Sequence, residues 1–269
     1  MADVDAVDER PIGVFDSGLG GLTVVRALLD LLSNEHLIYF GDTGRFPYGP
    51  KPAEQVLKFS FEIADRLLER DVKMIVVACN SATAAALGAL QERLDVPVIG
   101  VIEPGLRAAA RATRNGRIGV IGTVGTIASG AYQHVAETID PELELTCAAC
   151  PGFVEFVEQG DVDSDQVHVL AERLLAPVRS VGVDTLVLGC THYPLLARTL
   201  ADVMGPDVVL VSSADETAFD VRSRLTVRRQ GTSARTLAFM TSGDVDTFRR
   251  LGARFLGPEV DRVEGWAWS

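Results

Sequence analysis

Two cysteines stand at equivalent points in two similar stretches of this chain, where they are placed for acid/base chemistry. The run Met-Ile-Val-Val-Ala at residues 74–78 stops at Cys79, and the run Thr-Leu-Val-Leu-Gly at residues 185–189 stops at Cys190. Each run predicts a buried parallel strand, and a helix-like segment follows each thiol. Strand ends of this kind form the binding sites of open α/β sheets. We therefore expect the two thiols to face each other across one substrate.

A thiol at a helix start lies at the positive end of the helix dipole, which lowers its pKa and favours the thiolate. One such thiol would suggest a nucleophile. Two thiols at equivalent places suggest that one removes a proton from a carbon while the other delivers a proton to the opposite face, which inverts a stereocentre. The alternative is that both are buried structural cysteines, which are common. Their polar neighbours favour the functional interpretation.

Other polar residues adjoin the predicted strand ends. Residues 16–21, Asp-Ser-Gly-Leu-Gly-Gly, contain glycines that let the backbone come close to a ligand, and the helix start that follows offers amides to an anion. Their spacing is not GxGxxG, so a nucleotide site is disfavoured. Asp16 fits a catalytic role and an N-cap equally well. His192 suits proton donation to a substrate or tuning of Cys190, with a metal ligand or a packed core histidine as alternatives. A metal is disfavoured because this segment lacks carboxylates and a second histidine.

Six further positions have weaker signals. Asn80, Ser81 and Thr191 supply neutral donors beside the thiols, although such residues also favour helix starts. Glu158 follows an apolar helix face and is more typical of a solvated glutamate. Tyr48-Gly49 lies in an irregular loop over residues 41–52, and such loops often close on ligands, with a simple turn as the alternative.

Composition limits the class of protein. The 269 residues are 47 % hydrophobic and 23 % charged, as expected for a soluble globular chain, and no apolar run approaches the roughly 18 to 20 residues that span a bilayer. The net charge of −12 argues against nucleic acid or an anionic membrane surface as partner, but not against a small anionic substrate. The acidic first ten residues lack the features of a secretory signal, so we expect a cytoplasmic protein with a flexible N-terminal tail.

A disulfide framework is improbable for four cysteines in a cytoplasmic chain. Cys147 and Cys150 form a single CxxC, which would need two more ligands to hold structural zinc. We expect Cys147 to be a buried strand thiol.

Strand-like and helix-like segments alternate along the chain, which predicts parallel sheets covered by helices on both faces. A repeat divides the pattern, because Ile-Gly-Val at residues 12–14 recurs at 118–120 and the two cysteine turns are separated by nearly the same interval. The predicted fold is α/β, with two similar Rossmann-like or flavodoxin-like parallel-sheet domains related by pseudo-two-fold symmetry. Predicted strands are 12–15, 37–40, 73–78, 98–101, 117–122, 143–147, 184–189, 208–211 and 236–240. Predicted helices are 21–32, 53–70, 82–94, 127–139, 165–181, 194–204, 214–227 and 245–255, with a short helix in a loop around 151–160 and a short tail over 260–269.

Four motifs in this order resemble the glutamate racemase family: Asp-Ser-Gly-Leu-Gly-Gly at 16–21, Pro-Tyr-Gly at 47–49, Cys-Asn-Ser-Ala-Thr at 79–83 and Gly-Cys-Thr-His-Tyr-Pro at 189–194. Cys-Pro at 150–151 and Val-Glu-Gln-Gly at 157–160 extend the resemblance, although Glu155 stands where the family usually has proline. The resemblance implies cofactor-independent interconversion of L- and D-glutamate, with D-glutamate used in bacterial peptidoglycan synthesis.

The resemblance also implies roles for individual residues. Cys79 and Cys190 would be the acid/base thiols, with Asp16 assisting the first, and His192 and Glu158 assisting the second. Substrate contacts would come from Asp16, Ser17, Tyr48, Gly49, Asn80, Ser81, Thr191 and His192, with Thr123 and Thr126 at further positions near the ligand. The implied architecture is a homodimer whose subunits each have one domain at 1–102 plus 210–269, a second at 103–209, and the site between them.

Three other functions remain open from the sequence. An aspartate racemase of the same superfamily would share the scaffold. A non-catalytic amino-acid-binding protein would tolerate loss of either cysteine, and a thiol hydrolase or transferase would need only one and would form a covalent intermediate. Two cysteines in symmetrical places weigh against the last two.

Overall fold

The computed structural model describes residues 8–225 and 235–268. Its strands are β1 (Ile12–Asp16), β2 (Leu37–Gly41), β3 (Met74–Val77), β4 (Val98–Gly100), β5 (Arg117–Gly122), β6 (Glu144–Ala149), β7 (Thr185–Gly189), β8 (Val209–Val211), β9 (Leu237–Thr241) and β10 (Val263–Gly265). Its helices are α1 (Leu22–Leu31), α2 (Ala53–Leu68), α3 (Asn80–Arg93), α4 (Ile102–Ala112), α5 (Val124–Ala128), α6 (Ala131–Ile139), α7 (Phe153–Gln159), α8 (Asp165–Ser180), α9 (Ala197–Met204), α10 (Ala214–Arg224) and α11 (Val245–Leu256), and 3-10 turns occupy Thr43–Arg45 and Tyr193–Leu196.

The strands form two parallel sheets. The first has the order β10-β9-β2-β1-β3-β4 and the second the order β6-β5-β7-β8. Every residue of β1, β3 and β7 is buried, which explains why these strands are unbroken apolar runs instead of alternating patterns. The prediction of two parallel-sheet α/β domains is confirmed.

Both sheets share one strand pattern, since β2-β1-β3-β4 in the first corresponds to β6-β5-β7-β8 in the second. The repeat in the sequence pairs β1 with β5 and β3 with β7. Cys79 therefore lies beyond β3 at the carboxyl edge of one sheet, and Cys190 lies beyond β7 at the same edge of the other.

Helices cover both faces of each sheet. In the first sheet, α1, α10 and α11 pack on one face and α2 and α3 on the other. In the second, α7, α8 and α9 pack on one face and α4 and α6 on the other. Fully buried leucines such as Leu28, Leu67, Leu106 and Leu175 each contribute about 1.5–3 kcal/mol to folding. None of the described helices has the length and apolar character needed to cross a membrane.

Several local predictions differ from the structure. The predicted helix over 127–139 is two helices, α5 and α6, because Gly130 between them has a left-handed φ of 70° that a helix cannot continue. Helix α4 was not predicted, since Pro104 and Gly105 obscure its apolar spacing, although proline is tolerated in a first helical turn. Strand β10 lies in the segment taken for a tail.

Three predicted boundaries also shift. The expected domain boundary between residues 209 and 210 falls inside β8, which pairs with β7 and so lies wholly in the second sheet. The predicted helix over 194–204 begins as the 3-10 turn Tyr193–Leu196. The helix expected over 214–227 ends at Arg224, and residues 226 and 227 lie outside the described part of the chain.

Residues 8–10 are held against the first sheet. Lys73 Nζ donates to the backbone carbonyl of Asp8 at 2.9 Å and to the carboxylate of Glu35 at 2.6 Å, while Arg10 pairs with Asp8 at 2.8 Å. The expectation of a flexible N-terminal tail is therefore not met at residues 8–10, and residues 1–7 lie outside the described range.

Candidate active site

The two cysteine turns meet at one cavity between the sheets. Cys79 and Cys190 are 5 % and 7 % exposed, and both line this cavity. Its other lining residues come from six segments of the chain: Ser17, Phe46, Pro47, Tyr48, Gly49, Asn80, Ser81, Thr123, Val154, Thr191 and His192. The sequence-based expectation that the two thiols share one site therefore agrees with the geometry.

Cys79 is the N-cap of α3 and adjoins a buried carboxyl group. Its sulfur accepts a hydrogen bond from the amide of Ala82 at 3.4 Å and lies 3.7 Å from Ser17 Oγ. Asp16 is fully buried, and its Oδ2 accepts bonds from the amides of Gly18 and Gly21, both at 3.1 Å. Burial raises the pKa of Asp16.

The pKa of the Cys79 thiol is also raised, to about 12, first by burial and then by the charge of Asp16. This corrects the expectation that the helix start would favour a thiolate here. Removal from water outweighs the dipole, so Cys79 is a thiol at neutral pH.

Cys190 has a different set of neighbours. Its sulfur lies 4.0 Å from Nδ1 of His192, whose Nε2 lies 2.7 Å from Oε1 of Glu158. The imidazole is 2 % exposed and contacts the rings of Phe46 and Phe255, each with a centroid distance of 5.7 Å. The structure thus places Glu158 at the site and not on a solvated helix face, although its side chain keeps 23 % exposure.

His192 carries a positive charge at neutral pH. Burial lowers its pKa, but the hydrogen bonds with Cys190 and Glu158 outweigh this effect and raise the pKa to about 10. The cation therefore lies beside the sulfur of Cys190, where it stabilises negative charge.

Hydroxyl groups join the two halves across the cavity. Ser81 Oγ lies 3.0 Å from Thr123 Oγ1 and 3.1 Å from Thr126 Oγ1, and these two threonine oxygens are 3.0 Å apart. On the opposite side, Thr191 Oγ1 is 3.5 Å from Asp16 Oδ1. The structure brings these predicted substrate-binding residues together, although several of their hydroxyls also bond one another.

Asn80 presents a free donor. Its Oδ1 accepts a hydrogen bond from the hydroxyl of Tyr132 at 2.8 Å, which fixes the orientation of the amide. Its Nδ2 is buried without a hydrogen-bond partner among the described residues, and Asn80 lines the cavity. A buried amide nitrogen in this position suits a carboxylate ligand.

The Tyr48-Gly49 segment forms part of the cavity wall. Tyr48 is 1 % exposed and its hydroxyl donates to Asp42, so the ring and not the hydroxyl faces the site. The carbonyl of Gly49 accepts a bond from the amide of Gly125 at 2.9 Å. A Cβ at Gly49 would lie 2.6 Å from the Cβ of Thr123, so only glycine permits this approach.

Three residues at or beside the site are not predicted from the sequence: Tyr132, Asp42 and Phe46. Tyr132 lies on α6, where the apolar spacing marks only a helix face, and its hydroxyl reaches Asn80 from the helix layer on the second sheet. Asp42 and Phe46 lie in the irregular loop, where no spacing pattern identifies them. Cys147, expected to be buried, is partly exposed on β6, whereas Cys150 is buried.

Comparison with known proteins agrees with this geometry. The family model described as Asp/Glu/Hydantoin racemase matches residues 12–218, which include both cysteine turns. The chain is 51 % identical over 266 residues to the glutamate racemase of Corynebacterium diphtheriae, covering 97 % of this chain and 99 % of that protein.

Two solved structures are similar over nearly the whole chain. A glutamate racemase isoform of Bacillus anthracis has a TM-score of 0.91 at 41 % identity, covering 97 % of each chain. The glutamate racemase of Francisella tularensis, solved in complex with D-glutamate, has a TM-score of 0.90 at 35 % identity, covering 97 % of this chain and 98 % of that one. The chain therefore belongs to the Asp/Glu/Hydantoin racemase family and, within it, to the glutamate racemases.

Proposed function

We propose that this protein interconverts L-glutamate and D-glutamate by proton transfer at the α-carbon between Cys79 and Cys190, without a cofactor. The observation that carries the proposal is that these thiols follow strands of different sheets, line one cavity and have different titratable neighbours, Asp16 beside Cys79 and His192 beside Cys190. The names of the relatives support glutamate over aspartate as the substrate.

The surroundings of the thiols assign their roles in one direction of the reaction. Cys79 is a thiol, and the His192 cation lies 4.0 Å from the sulfur of Cys190. The Cys190 thiolate removes the α-proton, and the electron pair of the C–H bond stays on the α-carbon. The Cys79 thiol then delivers its proton to the opposite face, and the roles are exchanged in the reverse direction.

Each turnover leaves a proton on the accepting cysteine, which must be returned before the next one in the same direction. Glu158 is partly exposed and bonded to His192, so it gives the proton of Cys190 a route to solvent. Asp16 is the group placed to assist Cys79.

The carbanion formed at the α-carbon needs fixed donors and the exclusion of water. We assign substrate contacts to Asn80 Nδ2, to the hydroxyls of Ser81 and Thr191, and to the backbone amides at the start of α3. The remaining members of the predicted substrate-binding set stand around them: Asp16, Ser17, Tyr48, Gly49, Thr123, Thr126 and His192.

D-Glutamate made in this way would supply peptidoglycan synthesis, and we propose a cytoplasmic homodimer as the working form. Sedimentation equilibrium of the purified chain tests the dimer. A single species with the mass of one chain across the working concentration range would contradict it.

The test of the reaction uses the purified protein with L-glutamate in heavy water. We expect the circular dichroism of glutamate to decay to zero while deuterium enters the α-position, as detected by NMR. Cys79→Ser and Cys190→Ser should each reduce the rate at least about 100-fold, the scale of lost acid/base catalysis.

The rival functions give different results. Deuterium entry with aspartate but not glutamate would make the protein an aspartate racemase. A trapped covalent adduct that needs only one cysteine would indicate a thiol transferase or hydrolase. Binding without any exchange would leave a non-catalytic amino-acid-binding protein.

A further inference from the structure

A buried carboxylate lies directly behind the cavity wall. Asp42 has no exposed surface, and four side chains donate to it. Oδ2 accepts from Arg45 Nε at 2.7 Å and from the hydroxyl of Tyr48, while Oδ1 accepts from Ser242 Oγ at 2.5 Å and from Trp268 Nε1 at 3.0 Å. A buried carboxylate with this many donors is firmly held in place.

Trp268 contributes to this network in a second way. The guanidinium carbon of Arg45 lies 3.8 Å from the Trp268 ring centroid and 3.9 Å from that of Phe59, so the cation is held between two aromatic faces. Arg45 also bonds Glu62 on α2. The indole therefore fixes Arg45 with its ring and Asp42 with its N–H.

The segment that follows Arg45 forms the wall of the active site. Phe46, Tyr48 and Gly49 line the cavity. The Gly49 carbonyl accepts a hydrogen bond from the amide of Gly125, which lies in the half of the molecule that contains the second sheet. The backbone amide of Asp42 donates to the carbonyl of Asp16 at 3.0 Å. One network thus connects the indole to both sides of the cavity.

We propose that Trp268 is a positioning residue for the active site, holding the Phe46–Gly49 wall in place through Asp42 and Arg45. Trp268 itself contacts no reacting atom, so the indole acts on the wall through its neighbours Asp42 and Arg45. The expected change in KM rests on the proposed function, whereas the expected change in hydrogen exchange of the wall does not.

The chain offers a matched control two residues away. Trp266 belongs to the same segment, but its ring stacks on Arg66 of α2, with 3.3 Å from the guanidinium carbon to the ring centroid. Replacement of either tryptophan removes one indole from this segment, but of the two only Trp268 contacts Asp42 and Arg45.

The experiment compares Trp268→Ala, Trp268→Phe and Trp266→Ala with the unaltered full chain. Hydrogen exchange by mass spectrometry follows peptides that cover residues 42–51, and trypsin probes cleavage after Arg45. In Trp268→Ala we expect hydrogen exchange over residues 42–51 to become about tenfold faster or more, as expected for local opening. Trypsin should then cleave after Arg45, and exchange in β5–β7 should not change.

In the same variant we expect KM for glutamate to rise about fivefold, with a smaller change in kcat, because substrate binding requires an ordered wall. Trp268→Phe keeps a ring over Arg45 and loses only the N–H, so it should show a smaller increase in exchange and KM. Trp266→Ala should leave exchange over 42–51 as it is.

Unchanged exchange over 42–51 in Trp268→Ala, or an equal increase in Trp266→Ala, would overturn the proposal, as would quicker exchange with an unchanged KM. If Trp268→Ala does not fold, Trp268→Phe decides, and unchanged exchange in it overturns the proposal. If the unaltered protein lacks racemase activity, the proposed function fails, while the exchange data still judge how Trp268 holds the wall.

Discussion

His192 keeps its charge in surroundings that would remove it from an isolated imidazole. Burial alone favours the neutral ring, and the sequence left open a metal ligand, a core histidine or a proton donor. The contacts with Cys190 and Glu158 reverse the effect of burial and raise the pKa to about 10. The protonation of this residue is therefore linked to the stability of the fold.

The sign of that linkage gives a prediction for His192→Asn. In the unfolded chain the histidine pKa is about 6.5, so the folded state binds the proton more tightly. The stabilisation is fully present below about pH 6.5 and is lost as the pH rises through about 10. In urea unfolding, the unfolding free energy of the unaltered protein should fall between pH 7 and 10 by on the order of a few kcal/mol more than that of the variant.

Cys79 also makes the stability of the fold depend on pH, because its pKa of 9.0 in the unfolded chain is raised to about 12 in the folded protein. This decrease in stability above about pH 9 is common to the unaltered protein and the variant. Parallel stability curves for the two proteins would show that His192 is not a cation in the folded state.

Tyr132 orients Asn80 Nδ2, a buried donor at the site that has no hydrogen-bond partner among the described residues. In Tyr132→Phe the hydroxyl bond to Asn80 Oδ1 is lost, and the amide is free to turn its Nδ2 away from the cavity. Steady-state kinetics should show KM for both enantiomers rising about threefold to tenfold, the cost of about one hydrogen bond.

Tyr193→Phe is the matched control, since it loses a buried hydroxyl bond of 3.1 Å to the carbonyl of Cys150. Both variants should lose about 0.5–1.5 kcal/mol of stability. An equal KM increase in the two would assign the effect to general loosening of the second sheet.

The segment over residues 47–49 is an element through which the two halves contact each other directly. Gly49 allows this because it has no side chain, and its carbonyl bonds the amide of Gly125 at the start of α5. The loop was expected to close on ligands, and in the structure it already forms part of the wall.

Gly49→Ala tests that approach. Its added methyl group would meet the Thr123 side chain at 2.6–3.0 Å, so the loop and α5 must separate. We expect kcat/KM to fall at least about tenfold, since small misplacements at a site reduce the rate strongly.

Gly88→Ala provides the contrast, because an added Cβ at Gly88 in α3 has no atom within 4 Å among the described residues. This change should raise the unfolding free energy by about 0.5–1 kcal/mol with unchanged kinetics. Unchanged kinetics in Gly49→Ala as well would mean that the loop adapts without cost.

The whole molecule is stabilised far from the cavity by a buried ion pair. Lys73 and Glu35 have side-chain exposures of 4 % and 3 %, and Lys73 also holds residue Asp8 beside the sheet. Two charges removed from water depend on each other, so the removal of one costs more than the removal of a charge from an exposed pair.

Lys73→Met should therefore lower the unfolding free energy by about 3–5 kcal/mol, with KM unaffected in the protein that remains folded. Urea denaturation measures the change. Arg117→Ala, which breaks the exposed pair with Glu144 (51 % and 72 % exposed), should cost less than about 1 kcal/mol. Similar losses in the two variants would show that burial of the Lys73 pair adds nothing.

The alternation of strands and helices, the parallel sheets and the position of each cysteine at a strand end are all predictable from the amino-acid sequence. These features depend on residue types at short spacing, such as the apolar runs before Cys79 and Cys190, and on a repeat that can be read along the chain. The helix interrupted at Gly130 and the unpredicted α4 show where local spacing is insufficient.

Tertiary structure alone decided which distant side chains meet and what that does to their protons. Glu158 reaches His192, Tyr132 reaches Asn80 and Trp268 reaches Asp42 across 34, 52 and 226 residues of chain. Burial made Cys79 a thiol where its helix start favoured a thiolate. The reason is that removal from water and hydrogen bonding depend on the atoms that surround a group in space, and these are set by packing between elements.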